Sequence, residues 1–108
     1  LIMTALAQTL VSMEKTEMDA EARKILEQVI IIDPENNFAW RQLGTIYNRA
    51  GEDDLTSLAM AEMFLLQGQP SEALYHANKA IDNLPEGTPK WLRLQDIIYA
   101  ARANIDER

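Results

Sequence analysis

Cysteine is absent from the 108 residues, so the chain carries neither a disulfide framework nor a thiolate metal site. With an all-helical core needing neither, the redox compartment stays open. Histidine occurs once, as His76. A zinc centre takes three or four protein ligands, and His76 has no second histidine near it. No evident nucleophile stands beside it either, so no Ser-His-Asp or Cys-His set can be assembled. The expectation is therefore that this segment holds no catalytic residue, no cofactor and no metal. Glycine-rich phosphate loops are missing as well. No stretch approaches the roughly eighteen apolar residues of a membrane span. Positive charge is scarce, ten Lys and Arg against seventeen Asp and Glu, for a formal net charge of −7. Such a field repels phosphate backbones and anionic lipid, so neither nucleic acid nor a membrane surface is an expected partner. The chain opens Leu1-Ile2-Met3, without an initiator methionine, a basic stretch or a small-residue cleavage site. It reads as an excised domain.

What is present is helical period almost throughout. Ala22, Ile25, Leu26, Val29 and Ile30 recur three or four apart, as do Trp40, Leu43, Ile46 and Tyr47. The interruptions are short and carry turn chemistry. They fall at Lys15-Thr16-Glu17, Asp33-Pro34-Glu35-Asn36, Ala50-Gly51-Glu52-Asp53, Gln67-Gly68-Gln69-Pro70 and Leu84-Pro85-Glu86-Gly87-Thr88-Pro89. Six helices follow, near 1–15, 18–32, 37–50, 54–67, 70–84 and 89–104. Thr88 before Pro89 is a start signal, a capping hydroxyl followed by a proline preset for the first helical position. Asp53 or Asp54 is expected to cap the fourth helix. The run Glu52-Asp53-Asp54 lacks the spaced oxygen ligands and internal glycine of a calcium loop. The connections are too short for anything but antiparallel neighbours. The fold class is all-α, an antiparallel helical-repeat solenoid of about six helices.

Trp40-x2-Leu43-Gly44-x2-Tyr47 resembles the first-helix half of a tetratricopeptide (TPR) repeat. Trp40 and Tyr47 lie two turns apart on one face, and Gly44 is placed where a second backbone would approach closely. Ala73, Ala77, Ala80 and Pro85 resemble the second-helix half, small residues for a tight crossing and a proline as a stop. Ala22, Leu26, Val29 and Pro34 repeat it earlier. First-helix patterns start at 3, 37, 54 and 88, spacings of 34, 17 and 34. The 34s match the repeat length, and the 17 is half of it. The resulting single domain over 1–108 has a repeat at 3–36, a repeat at 37–67 overlapping one at 54–87, and a capping helix at 88–104. Ala61, Phe64 and Gly68 make the helix at 54–67 a first helix for the next one. Trp91, Leu94, Ile98 and Ala101 form the stripe of the cap, and Gly51 and Gly68 mark the turns.

A narrower resemblance covers Asn37 to Ile97. Asn37-Phe38-Ala39-Trp40-Arg41-Gln42-Leu43, then Gly51-Glu52, Leu58-Ala59-Met60-Ala61-Glu62, and Leu84-Pro85-Glu86-Gly87-Thr88-Pro89-Lys90-Trp91-Leu92-Arg93-Leu94-Gln95-Asp96-Ile97 resemble the C-terminal TPR tail of bacterial HExxH-type zinc metallopeptidases, similar to the outer-membrane-assembly protease. The resemblance implies an upstream zinc protease domain, export to the periplasm, and a tail that handles substrate or assembly partners. No HExxH helix lies in these residues, so no catalytic residue carries over.

The expected function is protein–protein interaction, docking a protein or peptide within such an exported peptidase. The alternative is a free-standing TPR adaptor or assembly co-chaperone in the cytoplasm. A structural spacer that binds nothing is a third. Arg41, Thr45, Asn48 and Arg49 are the candidate partner-binding set, at i, i+4, i+7 and i+8 opposite the packed Trp40, Leu43 and Tyr47. Two arginines and an amide suit carboxylates or backbone carbonyls. Met60, Met63 and Phe64 could form an adaptable groove, but at helical spacing they are assigned to the core.

Overall fold

Asn36 ends a proline turn and opens a helix, its Oδ1 accepting from the Ala39 amide at 3.0 Å. That turn is one of the joints of an all-α array. A computed structural model describes residues 2–12 and 16–106. Among them lie six helices, α1 (Ile2–Ser12), α2 (Thr16–Ile32), α3 (Asn37–Arg49), α4 (Asp53–Leu66), α5 (Pro70–Ile81) and α6 (Pro89–Asp106). Residues 1 and 13–15 of the first expected helix, Lys15 of the first expected break among them, lie outside the described residues, and Thr16 and Glu17 of that break instead open α2, two residues ahead of the expected start at 18. Each helix packs on the next in chain order, and α1 also meets α3, and α4 meets α6.

The ends follow the turn chemistry closely. Gly51 and Gly68 both have φ of +74°, a conformation in which a Cβ would be strained. The Glu52 amide donates to the Tyr47 carbonyl at 3.0 Å and the Gly51 amide to Asn48 at 3.1 Å. The same pair of bonds recurs from Gln69 to Phe64 at 2.9 Å and from Gly68 to Leu65 at 3.2 Å. These are two copies of one helix-terminating motif, in which the left-handed glycine lets the chain satisfy its last carbonyls. They sit 17 residues apart, the half-repeat spacing, so α3 and α4 end alike.

Thr88 caps α6 as expected, with the Trp91 amide donating to its Oγ1 at 3.4 Å. The fourth helix corrects an expectation. Glu52 occupies the cap position without a side-chain cap bond, and Asp53 and Asp54 sit in the first turn. There the unpaired amides and the helix dipole still favour an acid. Helix α5 ends at Ile81 rather than 84. Amides of Asn83 and Leu84 bond back three residues, to Ala80 and Ile81, tightening the chain into a turn before Pro85.

Two cores result, and α4 belongs to both. Ala59 and Met63 join Leu26, Val29, Leu43 and Ile46 in the first; Leu58 and Ala61 join Ala73, Ala77, Leu94 and Ile97 in the second. Met63 is core, and Met60 and Phe64 pack partly buried against it. Ala73, Ala77 and Ala80 have no exposed surface, as small residues at a close crossing require. Leu94, Ile98 and Ala101 of the α6 stripe are buried, while Trp91 at its head is half-buried. Gly44 is buried, but the close neighbour is not backbone. A Cβ there would meet the Met60 Cε at 2.9 Å and the Ala59 Cβ at 3.7 Å, so glycine makes room for a methionine tip.

Candidate functional site

Trp40 and Tyr47 anchor the inner side of α3. The Trp40 indole Nε1 donates to the Pro34 carbonyl at 2.8 Å, tying it to the α2–α3 turn. The Tyr47 hydroxyl donates to Glu27 Oε2 of α2 at 2.8 Å. Burial, and then the bond to Glu27, push the Tyr47 phenol well above its ordinary pKa, so it stays a donor. Both rings are nearly buried, 7% and 4% exposed.

These rings floor a gap. Among the described residues no Cα of α2 comes within 8 Å of one in α4, although α4 and α6 do meet. The space between is a groove of about 640 Å³, within the size range of ligand-binding clefts. Ile30 and Ile31 of α2 line one side, Leu55 and Leu58 of α4 the other, and Pro89, Lys90 and Arg93 of α6 close an end. Ile31 is 79% exposed and Ile32 beside it 80%. The run Val29-Ile30-Ile31-Ile32 points apolar side chains around most of the helix, so burying Val29 leaves Ile31 outside.

Ion pairs edge the groove. Glu62 is 3% exposed on α4 and is held bidentately by Arg93, at 2.7 Å from Nε and 2.5 Å from Nη2. That bond raises the Arg93 pKa against the opposing effect of burial. Arg23 of α2 bonds Glu27 at 3.3 Å and also Glu52, the residue before α4, while its guanidinium lies 5.0 Å from the Tyr47 ring centroid. Arg23 thus ties α2 across the mouth of the gap, and the Glu52 bond is the main cause of its raised pKa. A second opening of about 580 Å³, lined by Glu52, Asp53, Asp54 and Leu84 among others, shares Leu55 and Lys90 with the groove.

Arg41, Thr45, Asn48 and Arg49 share one outward stripe of α3, and none of them lines this groove. Thr45 returns its hydroxyl to the Arg41 carbonyl at 3.3 Å. Arg49 bonds Asp19 of α2 at 2.9 Å, so part of its role is to join two helices. His76 stacks on Phe64, centroids 5.5 Å apart and planes 11° apart, with Tyr75 edge-on at 5.1 Å. Burial, and then the charge of Lys79, lower its pKa. Among the described residues no three His, Cys, Asp or Glu side chains are grouped to hold a metal ion, and no helix is long and apolar enough to cross a membrane.

Sequence reasoning did not single out Ile31, Glu62 or Arg93 as site residues. A signal existed for Glu62, the lone acid in Leu58-Ala59-Met60-Ala61-Glu62-Met63-Phe64. Compared with known proteins, the chain matches no protein-family model and no curated sequence.

Proposed function

We propose that this chain is a TPR-type polypeptide-binding module, working as the docking tail of an exported, periplasmic zinc metallopeptidase whose metal and catalytic residues lie in an upstream domain. The observation that carries the binding reading is the groove between α2 and α4, open, apolar and floored by two fixed aromatic side chains. Such a cleft gives up little conformational entropy when filled, because Trp40 and Tyr47 are already held by hydrogen bonds. Ile31 supplies exposed apolar surface at its edge. The peptidase part of the reading rests on the segments Asn37–Leu43 and Leu84–Ile97 and their resemblance to such tails. The groove takes the place of the Arg41 stripe as the leading surface, since Arg49 is engaged by Asp19.

A photo-crosslinking residue at position 31 of the intact polypeptide tests this, with position 41 as the control. The expected result is polypeptide adducts from position 31, including substrates of the attached protease, and few from 41. Adducts from 41 alone would return the site to the arginine stripe. An intact polypeptide free of zinc and of peptidase activity would remove the peptidase assignment while leaving the binding one.

A further inference from the structure

We infer that the groove between α2 and α4 takes an aliphatic segment flanked by lysine or arginine, an inference that rests on the groove being a polypeptide site. The reason is which donors and acceptors remain unspent. Arg93 on the lining is already held by the buried Glu62, and Arg23, which bonds the lining residue Glu27, is held by Glu27 and Glu52. An anionic partner would find only Lys90 as a cation on the lining that is in no ion pair among the described residues. Acceptors are in surplus. Glu27 and Glu52 share the single charge of Arg23, and Asp53 and Asp54 stand on the adjoining shelf without an ion pair among the described residues. A carboxylate accepts at several lone-pair sites, whereas a lysine or arginine brings only donors, so the pairing a ligand can complete is cationic. Counting formal charges on groove and shelf together with Arg23, which pairs with two of their acids, five carboxylates (Glu27, Glu52, Asp53, Asp54, Glu62) face three cations (Arg23, Lys90, Arg93). The whole chain, at −7, adds long-range attraction of the same sign.

The geometry separates two roles. Ile31, Leu55 and Leu58 take the apolar residues, and the acidic shelf at the start of α4 takes the flanking charge. Apolar burial supplies the affinity, and charge supplies selection and encounter rate.

The test uses two labelled peptides with the same leucine-rich core, one flanked by lysines and one by glutamates, titrated by fluorescence anisotropy. The lysine peptide is expected to bind at least about tenfold tighter at low salt, with the preference shrinking as salt rises past about 0.5 M. Exchanging both shelf acids, Asp53→Asn with Asp54→Asn, is expected to reduce the preference while the core peptide still binds. Ile31→Ser, an uncharged change at an exposed position, is expected to weaken both peptides. Equal binding of the two peptides would overturn the cationic partner and leave the groove standing. Binding that ignores Ile31→Ser, or no binding of either peptide, would overturn the groove itself and this inference with it.

Discussion

Gly44 lies at a close contact as expected, but against a methionine methyl and not the second backbone that the motif suggested. Its place in Trp40-x2-Leu43-Gly44-x2-Tyr47 implies a close neighbour, but the sequence does not say that the neighbour is the Met60 methyl. A methionine tip can move, so Gly44→Ala is expected to be nearly neutral, the gain in helix propensity offsetting the displaced methyl. Gly44→Leu, by contrast, overpacks the crossing and should cost about 1–3 kcal/mol in urea unfolding. Adding Met60→Ala should recover part of that loss, because the two sites share one space. Glu62 and Arg93 are coupled differently. Removing Arg93 leaves a carboxylate buried without its partner, and Arg93→Ala is expected to cost on the order of 2 kcal/mol, below the range for a fully buried pair because Arg93 is half exposed. Replacing both with methionine should cost less than Arg93→Ala alone, and a larger loss in the double variant would show that the pair stabilises outright. His76 gives a pH dependence. Burial disfavours its charged ring, so the unfolded chain takes up a proton at higher pH than the folded one. The associated stability is complete above the ordinary imidazole pKa of about 6.5 and is lost as pH falls toward the lowered folded value. His76→Phe keeps a ring on Phe64 and should flatten the stability profile just below that ordinary imidazole pKa; an unchanged slope would assign that slope to carboxylates.

At the scale of elements, the helices were legible wherever a local rule acted. Period marks α3 and α4, and glycine marks their ends, so the observed bounds differ from the expected ones by a single residue. Helix α5 stops three residues early because Asn83 and Leu84 tighten a turn just before Pro85, and Asn83 two residues ahead of that proline was the available signal. Helix α6 runs two residues past 104, where neither glycine nor proline marks a stop. The groove was not legible, because it depends on the distance between α2 and α4, which never pair and share no sequence signature. That distance has a dynamic counterpart. Among the described residues helix α2 packs on α1 and α3, with Tyr47 to Glu27 and Arg49 to Asp19 crossing the α3 seam, and Arg23 to Glu52 ties it to the start of α4. Helices α4, α5 and α6 instead enclose a core of their own. Native-state hydrogen exchange is expected to show α1 and α2 opening first and together, with α4 and α5 the last to exchange. Raised salt should widen the difference, since the Arg49–Asp19 and Arg23–Glu52 ties lie partly in water. Uniform exchange across all six helices would show that the ties, not the cores, set local stability.

For the molecule as a whole, the array measures 41 × 27 × 20 Å with a radius of gyration of 13.9 Å, against about 13 Å expected of a compact chain this long. The excess reflects helices laid side by side rather than wrapped around one centre. Since the second core needs only α4, α5 and α6, residues 53–108 are expected to fold cooperatively alone, as followed by circular dichroism during thermal unfolding. Residues 69–108 should not, because they lose the wall formed by Leu58 and Ala61. Folding of the shorter piece would mean that α5 and α6 are self-sufficient. The double membership of α4 also governs how the chain can change in length. One residue inserted in a helix turns everything beyond it by roughly 100°. Within α4 this would unseat Ala59 and Met63 from one side and Leu58 and Ala61 from the other at once. The same insertion in the turn 82–88 would merely re-aim α6. Length variation in this lineage should therefore gather in the turns and spare 53–66, where a gene tolerates substitution far more readily than a shift in register.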